Sequence, residues 1–474
     1  MVSLIYDGLT RCLPDGSSEP GIAESFEISP DGKTYTFHLR KAFWSDGVQV
    51  TASDFEKTWK QMLDPSVPSL CAYLFYPIKN AEAAYHQTKS LDEVCIRALD
   101  DQTLEVILER KTPYFLSLTS FPSFYPAPQH KLEELDNPLS PPTTVSGPFI
   151  IKKIAAQSSI ILEKNPHYWN AKELKLEAIH IGIIPNETTS FAMFERGELD
   201  WLGGILSPIS TDALASESAQ KKAHYFPMSA STFFTFNTGI KPFSNEHIRK
   251  AFSLSVDREK IAKEILPTNQ VSTTRCIPPA LCNGKNRNIL PAYDPELARE
   301  HLRIGLKELG KTIDEIAPIT LHFRTGAVDR MIAQVVQREW KDVLGIDVEL
   351  VQTDFKSHKD ILHSRTYQIA ISNWVAQYHD PINILERFKN PSNAKNYAEW
   401  DNQEFALLID QAAESTDERE REHLLELAEE LMAEHLPILP IYHWSNPSLC
   451  SSRLQNIHTT PSGGVLFERC WISN

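Results

Sequence analysis

The hydrophobic period of this chain changes near residue 240, and that change excludes both a single uniform sheet and a single helical bundle. Upstream, strand periods predominate. Tyr35, Phe37 and Leu39 alternate with Thr34, Thr36, His38 and Arg40, the period of a half-buried strand. Residues 104–108 (LEVIL), 147–154 (GPFIIKKI), 159–164 (SIILEK) and 233–237 (FFTFN) read as further strands, separated by Pro-rich loops such as 121–148. Downstream, amphipathic helices are predicted over 246–266, from the segment opening at 292–302, and over 329–344. Strands at 346–352 and 367–374 fall between and after them. Strands and helices mixed without one βαβ rhythm predict an α/β chain of mixed α+β lobes. At 474 residues the chain is too long for one core, and about two to four domains are expected.

Local signals are sharpest between residues 29 and 65. Asp31-Gly32 and Asp46-Gly47 supply the positive φ that tight turns need. Thr51 with Asp54 three residues on forms a capping-box pattern, with Asp in place of Glu. Phe55, Trp59, Met62 and Leu63 then fall on one helical face before Asp64-Pro65 ends the run. Periodic apolar residues of this kind are scaffold. The charged stretch 414–434 reads as a surface helix that buries a stripe of Leu424, Leu425, Leu427, Leu431 and Met432.

Composition narrows the function classes. A hydrophobic content of 42% with 23% charged residues is that of a folded soluble protein. A net charge of −15 argues against nucleic-acid binding, which needs a basic face. No apolar run approaches the roughly 18–20 residues that cross a bilayer, and the opening MVSLIYDGLT lacks a charged-then-apolar leader. The seven cysteines contain no C-x-x-C pair, so a zinc framework is not expected. Cys276 and Cys282, in RCIPPALC, are close enough in sequence to leave a bridge across a Pro-bent loop open. Motifs for a nucleophile elbow, zinc protease, P-loop or dinucleotide fold are absent. The nearest acid–histidine groupings are Glu422-His423, Glu434-His435 and His379-Asp380, and the first two lie on the charged helix. No catalytic constellation is marked, no metal or cofactor is called for, and the chain is not expected to be an enzyme.

TYTFHLRKAFWSDGVQVTASDF (34–55) resembles the signature region of the extracellular solute-binding proteins of the oligopeptide/dipeptide/nickel class, which feed ABC importers. Further blocks follow in that family's order: RALDDQTLEVIL (97–108), SGPFII (146–151), ILEKNPHYW (161–169), FERGELDW (194–201), FFTFNTGIKPFSNEHIRKAFSLSVDREKI (233–261), YDPELAREHL (293–302) and LGIDVELVQTDF (344–355). NWVAQYHDP (373–381) is most similar to the oligopeptide-binding branch. The resemblance implies a two-lobed, hinged, periplasmic-binding-protein-like fold with an extra inserted lobe. Carried over, the first main lobe takes 1–8, 146–230 and 446–474, the inserted lobe 9–145, and the second main lobe 231–445.

The resemblance also implies a function. The ligand is an oligopeptide held between the main lobes and passed to ABC permease subunits; the chain is expected to be a monomer, periplasmic or anchored outside the inner membrane. Relatives carry a signal segment and a first strand ahead of the point where this sequence opens, so a trimmed or mis-started form is expected, with a genuinely shortened protein as the alternative. An extended peptide must have its backbone groups satisfied once water is expelled, and adding it to a sheet edge does so without reading its sequence. In relatives one such edge corresponds to Asn373, Trp374 and Val375. Two departures stand out. Relatives place an aspartate for the peptide's α-amino group where this chain has Gln377; Asp380, three residues on, takes over only if it faces the cleft. Arginines that relatives use for the peptide's C-terminus are replaced by Leu362 and Ile371. The expected ligands are therefore peptides whose ends are held differently, such as short, blocked or cell-wall-derived ones. The alternatives are another solute on the same fold (a metal chelate, haem or an oligosaccharide) and a chaperone-like or sensor receptor for extended chains.

Overall fold

Three larger sheets follow one another along the chain, beside two two-stranded ones, and the computed structural model describes all residues except 68, 70, 135–141, 205–208, 267–269, 283, 285–287, 292, 317, 416 and 474. The first sheet is antiparallel and contains β1 (Ala23–Ile28) and β2 (Thr34–Leu39). β2 buries Tyr35, Phe37 and Leu39, as its period requires. α1 (Ala52–Met62) begins at Thr51, whose N–H donates to the Asp54 carboxylate at 2.8 Å. It buries Phe55 and Trp59. β3 (Ile96–Asp100) and β4 (Thr103–Ile107) complete the order β1-β2-β4-β3. Part of the long loop expected at 121–148 lies outside the described residues.

The second sheet is a meander of β5 (Phe149–Ala155), β6 (Ser159–Lys164) and β7 (Ala178–Gly182). The third sheet opens with β8 (Trp201–Gly203) and β9 (Ala223–Phe236). α2 (Glu246–Leu254) and α3 (Pro295–Leu309) follow. The single helix expected over 246–266 breaks after Leu254: Asp257 caps a new turn, and Arg258 turns inward to donate to the carbonyls of Pro440 (2.7 Å) and Ser253 (3.1 Å). Then come β10 (Ile319–Arg324), α4 (Ala327–Leu344), β11 (Val348–Thr353), α5 (Phe355–Ser364), β12 (Ile369–Val375), α6 (Gln403–Glu414), α7 (Glu418–His435) and β13 (Ile438–Cys450).

The third sheet has the order β8-β13-β9-β12-β10-β11, antiparallel up to β12 and parallel beyond it. β9 and β13 run beside each other for most of their length, from Ala223↔Leu449 to Thr235↔Ile438, with register shifts between Pro227 and Ser231 and between Thr232 and Phe233. One end of this ribbon pairs with β8 and the other with β12, so the two strands cross from one part of the molecule to the next. Bulges raise local twist and re-aim a ribbon. α4 buries Ile332, Val336 and Trp340, and the Trp340 indole N–H donates to the Phe252 carbonyl at 3.0 Å, fixing α4 to α2.

α7 differs from its sequence reading. It buries Leu425, Ala428, Glu429, Met432 and Ala433, while Leu427 faces solvent. The stripe is rotated because Glu429 is held inside by Arg275 Nε at 2.9 Å and by the Ile277 N–H at 2.8 Å. All seven cysteines are thiols. The bridge left open between Cys276 and Cys282 is not formed; Cys282 Sγ instead donates to the Pro278 carbonyl at 3.5 Å.

Candidate functional site

The main candidate is an unfilled strand edge. β10 pairs with β12 only through Leu321↔Ile369 and His322↔Ala370. On its other side β12 stays paired with β9 as far as Ala230↔Val375, and the Ala376 N–H continues that side by donating to the Ser229 carbonyl at 2.8 Å. Backbone groups in a strand alternate sides. With Ala376 facing β9, the N–H and C=O of Val375, Asn373 and Ile371 therefore face away from it. Among the described residues no strand lies beside that edge beyond Ala370. The Ile371 carbonyl is met by His358 Nε2 at 2.8 Å, and burial holds the His358 pKa below its ordinary value, which keeps the ring neutral. The edge open to an added strand is thus Asn373 to Val375, three half-buried residues at the end of an otherwise buried strand.

Side chains fix this edge from both faces. Asn373 is satisfied when its amide nitrogen donates to Thr232 Oγ1 (2.8 Å) and its oxygen accepts from Arg324 Nη2 (2.9 Å). Arg324 in turn holds Asp329 at 2.7 Å. On the other face the Trp374 indole N–H donates to Asn383 Oδ1 at 2.9 Å, Asn383 Nδ2 donates to Gln377 Oε1 at 3.0 Å, and Gln377 Nε2 donates to the Val375 carbonyl at 3.0 Å. Gln377 is therefore a clamp on the strand end: both of its polar atoms are engaged within the protein.

Asp380 does not take the role reserved for it. Asp380 is 7% exposed, and its carboxylate accepts from Arg421 Nη2 at 2.8 Å and from the Ile382 N–H at 2.9 Å. An oxygen shared by a buried guanidinium and a backbone amide is an internal anchor between the 380–385 turn and α7. Leu362 and Ile371, which replace the cations expected for a C-terminus, are both buried apolar side chains.

Residues near the edge also meet the first sheet's surroundings. Tyr378 stacks on Tyr114 with ring centroids 4.6 Å apart and an interplanar angle of 11°. Arg110 reaches Glu386 at 3.2 Å, and the His379 N–H donates to Ser117 Oγ at 2.9 Å. Burial pushes the Glu386 carboxyl above its usual range, opposed by Arg110. The 376–388 segment and residues 110–124 share one hydrophobic core, so two parts of the molecule are closed upon each other beside the site.

The crossing ribbon, the separate small sheet and the open edge beside a closed contact define a two-lobed solute-binding protein. The chain belongs to the bacterial extracellular solute-binding proteins of family 5, whose middle-portion model matches residues 18–396. It is 36% identical over 473 residues to the oligopeptide-binding protein OppA of Bacillus subtilis, covering 98% of this chain and 87% of that protein. It is 33% identical to the dipeptide-binding protein DppE of the same organism, over 97% of this chain and 85% of that one. Among solved structures it superposes on Haemophilus influenzae OppA in complex with the peptide RPPGFSPFR with a TM-score of 0.84 at 26% identity, covering 100% of this chain and 94% of the other.

Sequence reasoning found the edge residues but missed those that set them. Asn383, which ties Trp374 to Gln377, sits in a short helix whose apolar period hides it. Arg324 was missed because the strand it ends, β10, was not among those expected. No spacing pointed to the Tyr114–Tyr378 stack, which joins positions 264 residues apart (378 − 114).

Proposed function

We propose that this chain is the substrate-binding component of an ABC importer, capturing oligopeptides between its lobes outside the cytoplasmic membrane and delivering them to a permease. The observation that carries this reading is the open edge at Asn373–Val375. An extended peptide laid there gains main-chain hydrogen bonds while its side chains project alternately to either face. The lobes would take 1–8, 146–230 and 446–474; 9–145; and 231–445, with β9 and β13 as the crossing strands and hinge. Closure around the ligand then makes the shape that a permease senses depend on occupancy. The working unit is a monomer.

The α-amino group of the peptide meets no dedicated carboxylate in this reading, because Gln377 is neutral and Asp380 is bound to Arg421. Calorimetric titration of the ligand-stripped chain with one tripeptide, free and N-acetylated, tests both points. Binding of the two forms within about threefold is expected. Binding of neither overturns the peptide reading, and loss of more than tenfold on acetylation overturns the neutral end.

A further inference from the structure

Among the described residues the other fully buried arginines, Arg249, Arg258 and Arg275, have oxygen acceptors on their terminal nitrogens, whereas Arg387, beside the site, has both of its terminal nitrogens unpartnered. Arg258 spends its donors on the carbonyls of Pro440, Ser253 and Val256 and on Ser253 Oγ. Arg249 spends its own on the carbonyls of Phe243, His435 and Leu436. Arg387 is 4% exposed, yet only its Nε has a partner, the Lys395 carbonyl at 3.1 Å. Both Nη atoms are buried without a hydrogen-bond partner. Among the described residues no carboxylate forms an ion pair with it.

Its surroundings are aromatic. The guanidinium carbon lies 4.3 Å from the Trp374 ring centroid, 4.9 Å from Phe388, 5.1 Å from Tyr397 and 5.5 Å from Phe233. Aromatic faces hold a cation in place and leave its edge donors directional. Trp374 belongs to the open edge, so this cation stands one ring away from where a ligand backbone would lie. A second observation points the same way. The Lys395 ammonium is half-buried, its pKa lowered first by burial and then by Lys359 and Arg387, and among the described residues neither lysine has a carboxylate partner. Lys395 and Lys359 thus act on the same region as Arg387, in a chain whose net charge is −15.

We propose that Arg387, set among Phe233, Trp374, Phe388 and Tyr397, is the base of a ligand subsite that receives a carboxylate, with Lys395 and Lys359 adding to its positive field. The chain therefore selects acidic ligands: an anion satisfies both Nη donors bidentately and compensates a charge that the fold leaves unpaired. The carboxylate comes from an acidic side chain projecting off the edge-bound backbone, or from the ligand's terminal carboxylate if the chain ends there. This inference rests on the peptide-binding reading above.

The test is calorimetric titration of the full, ligand-stripped chain with tetra-alanine and with its single Glu and single Gln derivatives at each position, every peptide both free and amidated at the C-terminus. A side-chain pocket predicts that Glu binds at least tenfold tighter than Gln at one position, whether or not the end is amidated. A terminal pocket predicts instead that amidation alone costs at least tenfold. In either case the preference falls to within about twofold in Arg387→Gln and survives in part in Arg387→Lys. Glu, Gln, free and amidated peptides all binding the unmodified chain within twofold of one another overturns the carboxylate subsite while leaving peptide capture standing. A preference that Arg387→Gln keeps in full also overturns it. Failure of every peptide to bind the unmodified chain removes both readings.

Discussion

Replacing Asp380 by asparagine separates an anchor from a ligand contact. The pair with Arg421 is enclosed, with side-chain exposures of 9% and 13%, and one Asp380 oxygen serves both Arg421 Nη2 and the Ile382 N–H. Breaking a buried ion pair from one side costs about 3–5 kcal/mol, because the remaining charge stays desolvated. Asparagine keeps an oxygen for Ile382 and a weaker bond for Arg421, which places the expected loss near the lower end, about 3 kcal/mol. For a cooperative unit of roughly 200 residues that lowers the melting temperature by about 6–12 °C. The assay pairs scanning calorimetry of Asp380→Asn with peptide titrations. The expected result is the lower Tm, with free and N-acetylated tripeptide affinities shifted by the same factor. A Tm within about 1 °C of the parent together with selective weakening of the free peptide would refute the reasoning and return Asp380 to the ligand.

Three further outcomes are expected. Trp374→Ala removes the half-buried indole at the edge and should weaken tripeptide binding at least tenfold, about 1.4 kcal/mol or more, in a calorimetric titration. His443 is buried with Nδ1 on Ser231 Oγ at 2.8 Å, and burial, followed by Arg275, lowers its pKa to about 3 from the ordinary 6.5. The unfolded chain then takes up the proton first, so this group's stability contribution is whole above pH 6.5 and is lost as pH falls toward 3. Urea melts of His443→Gln should show a flatter pH dependence across that window. Glu339 has the opposite sign: burial raises its pKa from 4.5 to about 7, so its contribution is whole below pH 4.5 and lost as pH rises through 7. Glu339→Gln, which keeps an acceptor for the Asp257 N–H, should therefore gain stability at pH 8 relative to pH 4.5 in the same melts.

What the sequence revealed divides by range of interaction. The strand at 34–39 and the Thr51–Asp54 start of α1 were legible because period and caps act within a few residues. The crossing ribbon was not. β9 extends ten residues upstream of the predicted start at Phe233, through Tyr225, Ser229 and Ser231, whose mixed polarity gives no strand period (233 − 223). That polarity is met across the chain, for example by His443 on Ser231. The same reason hid the rotated stripe of α7, since Glu429 goes inside only because Arg275 is there to receive it. At the site, Asn373, Trp374 and Val375 were legible through resemblance, and they do form the end of the open edge. The fate of Asp380 was not, because whether a carboxylate faces a cleft or an arginine on a distant helix is decided by tertiary packing.

The most direct test of the central claim is hydrogen–deuterium exchange of the ligand-stripped chain, with and without saturating tripeptide, read on the proteolytic fragment that carries residues 373–375. If the ligand adds as a strand, the outward amides of Asn373 and Val375 gain a partner and their exchange slows by at least tenfold, while Trp374, already turned toward β9, changes far less. Saturable peptide binding with unchanged exchange in this fragment, and protection appearing elsewhere, would contradict it.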